Sequence, residues 1–142
     1  MRNLSYLACP YTQGITSETT PLCKWQILQE RHQKANIVAG LLFERGYYIY
    51  SPISHGPVLE PHMAPEVADN WQRWMDHCYA MLEHCEEVFI LRIQGWEKSL
   101  GIQAETQYAR EHGLPIYFVD LVVEDIVEGI PEYTIDIIAS DD

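Results

Sequence analysis

The sequence predicts an α/β fold, a three-layer sandwich in which helices cover both faces of a mostly parallel sheet of four to five strands. Three observations carry this. Short apolar runs such as LSYLAC, EVFILRI and PIYFVD alternate with longer segments whose apolar residues recur at helical spacing. Strands interleaved with helices build a parallel sheet buried on both sides. A length of 142 residues, 47% of them hydrophobic, fits one domain with a single core, read as residues 1–142.

The elements follow in order. LSYLAC is a buried-type strand ended by Pro10, and YTQGITSETTP is a polar loop with Gly14 as its hinge. A long helix over residues 22–45 places Trp25, Leu28, Ala35, Val38, Ala39 and Leu42 on one face, and Gly46 supplies its stop. YYIYSP is the second strand. ISHGPVLEPHMAP reads as a Pro- and His-bearing loop of functional length, because structureless loops beyond about 12 residues are uncommon. A helix from about Pro65 carries Val67, Trp71, Trp74, Cys78, Met81, Leu82 and Cys85 toward the core and leads into EVFILRI. The turn in GWEKSLGIQAETQYAREHG opens the next helix, PIYFVD is the fourth strand, and the tail holds one more strand-like run, YTIDIIA. This order is that of a Rossmann-like, flavodoxin-like sandwich.

Charge narrows the partners. With 21 acidic against 9 basic residues and a formal net charge of -12, the chain lacks the Lys and Arg surplus that phosphate neutralisation requires, which excludes a general nucleic-acid-polymer binder. No stretch is long enough to span a membrane, and the N-terminus reads straight into a strand without the apolar core of a signal peptide. The four cysteines show no CxxC spacing, so neither a disulfide framework nor a zinc ribbon is expected, and the compartment reads as cytoplasmic. His77 and His84, like Cys78 and Cys85, stand seven residues apart, but nothing completes the four ligands of a closed zinc site. No metal and no cofactor is expected.

The carboxyl ends of the first three strands lead into ACPYTQG, SPISHGP and IQGWEKSLG, which by the switch-point rule converge on one crevice. Cys9 and Pro10 form the first edge of that crevice. Tyr6, Tyr11 and Trp96 supply apolar faces, Ser51, Ser54 and Ser99 hydroxyls, His55 a loop side chain, and the amides from Ser99 to Gly101 a helix start open to an anion. Glu105 sits in the second turn of that helix among Ile102, Ala104 and Ala109. An acid near a helix start is also ordinary dipole chemistry.

YLACPYT, RHQKAN (Arg31 to Asn36), YSPISHGP and GWEKSLGIQAE, spread over residues 6–105, resemble the nucleoside 2-deoxyribosyltransferase superfamily, which includes deoxynucleoside 5′-monophosphate N-glycosidases. The resemblance implies an enzyme that hydrolyses or transfers the N-glycosidic bond of a (deoxy)nucleoside or its 5′-monophosphate. It gives Glu105, six residues after Ser99, the part of catalytic glutamate, and Tyr6 that of the tyrosine orienting it. A carboxylate with an ordinary pKa of ~4.3 is ionised at neutral pH, ready to bond the sugar's ring carbon.

At one place the sequence departs from the family. The position of its usual aspartate holds Cys78, and the nearby acid, Asp76, projects almost opposite the Trp74–Cys78 stripe at ~100° per residue. Asp76 serves on a rotated or kinked helix, or it serves a neighbouring subunit, or protonation of the leaving base falls to another group such as His77. Serine at position 99, where base-exchanging relatives carry an acid, implies a 5′-monophosphate substrate, with Arg31 within reach. Relatives complete their sites across subunits, so a homo-oligomer, a dimer or larger, is expected. The alternative is a catalytically silent nucleotide-binding module.

Overall fold

The first strand, β1 (Leu4–Ala8), is almost wholly buried, and Pro10, which also lies buried, ends it. In the computed structural model, which describes residues 4–140, helix α1 (Pro21–Glu44) follows the polar loop; the first three and last two residues named in the readings above lie outside that range. Its start follows from local chemistry: the Thr20 hydroxyl accepts from the Cys23 amide at 3.2 Å, and Pro21 needs no amide partner in the first turn. Gly46 ends it at φ +93°. Only Ala35, Val38 and Leu42 of α1 are buried. Trp25, expected on the same face, is 60% exposed, because only the C-terminal half of this long helix overlies the sheet.

Strand β2 (Tyr48–Tyr50) leads to the first clear departure from expectation. The segment read as a long loop is helical: α2 (Pro52–Leu59) and a 3₁₀ turn (Glu60–His62). Pro52 occupies the first turn, where a missing N–H costs nothing, and Gly56 is buried against the Trp74 ring, where an added Cβ would lie 3.5 Å away. The helix expected from Pro65 is broken in two. A short α3 (Pro65–Ala68) stops at Asp69, and Asn70 starts α4 (Trp71–Leu82) by accepting from the Arg73 amide at 3.0 Å. The restart resets the phase. Met75, Cys78 and Leu82 form the buried face, while Trp71 is 51% exposed.

Strand β3 (Glu87–Leu91) is buried throughout; a 3₁₀ turn (Trp96–Lys98) then precedes α5 (Leu100–Glu111). Strand β4 (Ile116–Val127) runs seven residues past PIYFVD, folding back through Glu128 and Gly129, both at positive φ, into β5 (Ile130–Ala139). Both turn residues in that conformation match the twist of a tight hairpin. The sheet has five strands in the order β2-β1-β3-β4-β5. The first four are parallel, and β5 pairs antiparallel to β4 at the edge.

Helices cover both faces. On one, Met75, Cys78 and Leu82 of α4 and Ile102 and Ala109 of α5 pack on Tyr6, Val88 and Ile90; on the other, the C-terminal half of α1 packs on Leu7, Phe89, Leu91 and Val119. Among the described residues no helix is long and apolar enough to cross a membrane.

Candidate functional site

The loops after β1, β2 and β3 meet around one cavity of about 730 Å³ at the carboxyl end of the sheet. Cys9, Tyr11 and Gly14 come from the first loop, Pro52, Ile53 and Gly56 from the start of α2, and Ser99, Gly101 and Glu105 from the start of α5. Trp71, Trp74 and Met75 of α4 and Leu28 of α1 add apolar wall. This is where a parallel sheet with crossover helices leaves a crevice.

Glu105 is the chemical centre of the cavity. Its side chain is 5% exposed, and burial pushes the carboxyl up to about 8, opposed only by a smaller pull from the neighbouring Tyr6 hydroxyl. The expectation of an ordinary, ionised carboxylate is therefore corrected: burial keeps Glu105 mostly protonated at neutral pH. No cation is paired with it among the described residues. Tyr6 is fully buried with its hydroxyl beside Glu105 and Cys78 but outside strict hydrogen-bond geometry to either, and burial together with these two neighbours raises its pKa. Cys78 lies in the cavity wall beside both, its thiol pushed up to about 11 by burial and by Glu105. That thiol is protonated at any ordinary pH.

Ser99 is the N-cap of α5, its Oγ accepting from the Ile102 amide at 3.2 Å, which leaves the hydroxyl proton to donate. A Cβ built at Gly101 would sit 3.7 Å from Glu105 Oε1 and 3.8 Å from Ser99 Oγ, so the glycine keeps open the space that these two groups flank. Cys9 is buried, its thiol pushed up to about 12 by desolvation, and donates to the Pro10 carbonyl at 3.3 Å. Tyr11 is half-buried, pushed up to about 12 by burial and by Glu60.

Several expected residues stand elsewhere. Arg31 does not reach for a ligand: Nη1 donates to the carbonyls of Tyr11 at 2.7 Å and Gln13 at 2.6 Å, and Nη2 to Gln94 at 3.4 Å. It staples the first binding loop to the turn after β3. Gly95 beside it sits at φ +93°, a conformation that strains any side chain, and a Cβ there would press on Arg31 Nη2 at 3.0 Å. Ser54 donates to the Ser51 hydroxyl at 2.8 Å, so the pair satisfies itself at the start of α2. His55 is exposed and stacks on His77, with ring centroids 6.1 Å apart. Trp96 packs on Phe118 behind the site. None of Arg31, Ser54, His55 and Trp96 lines the cavity.

Asp76 is exposed, as its helical phase requires, and accepts from Gln72 at 2.8 Å. With His77 it lines a separate cavity of about 620 Å³ on the other side of Trp74. The rotated-helix possibility is thereby corrected, because α4 keeps Cys78 inward and Asp76 outward. The acids that do share the Glu105 cavity are Glu60 and Asp69, with Lys24 near them. Reading residues 53–65 as loop, with one unbroken helix from about Pro65, hid both. The signal was Asn70, a strong capping residue in mid-pattern, which marks a break immediately after Asp69. Among the described residues no three His, Cys, Asp or Glu side chains gather as they would around a metal ion.

No curated protein matches the chain. A family profile does: residues 3–121, which carry the first three strands, the first half of β4 and the residues lining the Glu105 cavity, match the Domain of unknown function (DUF1937). The match spans most of the chain, and the protein therefore belongs to the DUF1937 family.

Proposed function

We propose that this protein is an N-glycosidase of the nucleoside 2-deoxyribosyltransferase-like superfamily, acting on a (deoxy)nucleoside 5′-monophosphate through Glu105, with base exchange by transfer as the other outcome of the same chemistry. One observation carries the proposal: a buried carboxyl with no paired cation opens into a sugar-sized cavity at the carboxyl ends of parallel strands, beside the start of α5. The sheet order supports the flavodoxin-like form of the three-layer sandwich, whose ligands bind at that edge.

In this reading the ionised Glu105 attacks the sugar's ring carbon, the C–N bond breaks with its electron pair leaving on the base, and water then hydrolyses the glycosyl ester. Tyr6 donates its otherwise unmatched O–H to the carboxylate as it ionises. The Ser99 hydroxyl and the neighbouring amides of α5 hold the 5′-phosphate. Release of free base from a panel of deoxynucleosides and their monophosphates, followed by chromatography, tests the proposal.

A catalytically silent nucleotide-binding module is the second reading. It is favoured by the raised Glu105 pKa and by the absence of Asp76 from the cavity. Binding seen as a thermal shift, without base release, is its signature.

Ser99→Asp distinguishes phosphate reading from capping. Aspartate caps a helix as well as serine does, but it sets a like charge against phosphate. The variant is expected to stay folded while the ratio of monophosphate to nucleoside cleavage falls about tenfold or more. An unchanged ratio removes Ser99 from phosphate recognition.

The proposal includes a homo-oligomer of at least two copies, supported by the outward Asp76 and the exposed Trp71. Sedimentation at assay concentration is expected to show no active monomer.

A further inference from the structure

The Glu105 cavity has two polar ends. At the floor, Glu105 is flanked by Tyr6, Cys78 and Ser99, and its carboxyl helps to raise the pKa of Tyr6, Cys78 and Cys9. The mouth holds a different set. Glu60, in the 3₁₀ turn after α2, and Asp69, at the end of α3, come from the helical arm that roofs the cavity, opposite Lys24 of α1 and Tyr11 of the first loop. Burial and the neighbouring Asp69 push Glu60 up, and Lys24 pulls it back, so these groups face one another. Between the ends stand the apolar walls of Trp71, Trp74 and Met75. Tyr6, fully buried, stands behind Glu105 and Cys78 at the floor.

We propose that Glu60 and Asp69 form a base-reading end of this cavity, selecting nucleobases that carry an exocyclic amino group. The inference rests on the glycosidase reading for one thing only, the sugar's ring carbon at Glu105. That placement sends the base along the tryptophan-lined wall toward the mouth. Carboxylate oxygens accept hydrogen bonds, so two carboxyl groups at the mouth favour a ligand edge that donates. Cytosine and adenine present an amino group there, and a ring nitrogen or carbonyl beside it suits the Lys24 ammonium. Uracil and hypoxanthine present a carbonyl oxygen in the same place, which leaves the carboxylates unpaired and faces them with a like dipole. The tryptophan faces stack on either class and do not discriminate.

The test uses isosteric pairs on the full chain: the 5′-monophosphates of deoxycytidine and deoxyuridine, and of deoxyadenosine and deoxyinosine. The amino member of each pair is expected to lead in kcat/KM by about tenfold or more. The Glu60→Gln/Asp69→Asn double variant is expected to level or invert that order, because an amide also donates to a carbonyl. Equal rates or an oxo preference in the wild type overturns the proposal, and so does a double variant that keeps the wild-type order. If no base is released from any of the four, the glycosidase reading fails instead. Thermal shifts with the same four nucleotides then carry the comparison, with the same order expected and the same outcomes overturning it.

Discussion

Glu105→Gln is expected to lower base release by roughly 10³-fold or more while the protein stays folded. Glutamine has nearly the shape of the carboxyl it replaces but cannot form the glycosyl ester, so the loss reports chemistry rather than packing. The side chain lies on the wall between Ile102 and Ala109, the buried residues of α5, and its replacement leaves that packing in place. Wild-type enzyme quenched during turnover should carry a sugar-sized mass increment on the peptide containing Glu105, and the variant none. Glu105→Ala should be equally inactive. Turnover within a few-fold of wild type in either variant would sink the assignment.

The second large effect is on pH dependence, and stability and activity move in opposite directions. The carboxyl stands at an ordinary 4.5 before folding and is pushed up to about 8 by burial in the native state. Between those values the folded protein holds a proton that the unfolded chain has released, so Glu105 contributes most to stability below pH 4.5. That contribution is lost as pH rises toward 8, at roughly 1.4 kcal/mol per pH unit. Thermal or denaturant unfolding from pH 5 to 8 should show this slope in the wild type. Glu105→Gln should lack it, and the difference between the two proteins isolates the one group.

Activity should run the other way. A nucleophile must be ionised, and with a pKa of about 8 roughly a tenth is ionised at pH 7, so kcat/KM should climb as pH rises through 8. A rate that instead falls over that range would make Glu105 a general acid rather than a nucleophile. Identical stability slopes in the two proteins would show that the carboxyl is not buried in the way the fold implies.

Much of the architecture was legible in the residues. Leu4–Ala8, Glu87–Leu91 and the start of β4 announce themselves as apolar runs, and Thr20-Pro21 and Gly46 bracket α1, because propensity and periodicity act over a few neighbours. The meeting of the three loops also follows from chain order alone, since parallel strands joined by crossover helices bring their carboxyl ends to one edge. Ser99 and Glu105 fall at the start of α5 by that order, while the parts assigned to them are what the family resemblance implies.

What tertiary structure alone decided concerns surroundings. Whether Glu105 is an ordinary acid or one raised to about 8 depends on what Tyr6, Cys78 and the sheet exclude around it, and burial is not a local property of the sequence. Arg31 became a staple rather than a ligand because the carbonyls of Tyr11, Gln13 and Gln94 converge on it from two loops. Residues 53–65 looked like loop by composition, yet with Pro52 and Gly56 where a helix tolerates them and Trp74 to pack on, residues 52–62 form a helix and a 3₁₀ turn. With that arm in place, Glu60 and Asp69, nine positions apart in the chain, face one cavity, while Asp76, two residues from Cys78, faces away from it. The sequence by itself determined which elements form and where their ends meet; which charges share the resulting space was left to long-range packing, because desolvation depends on every chain segment that shuts out water.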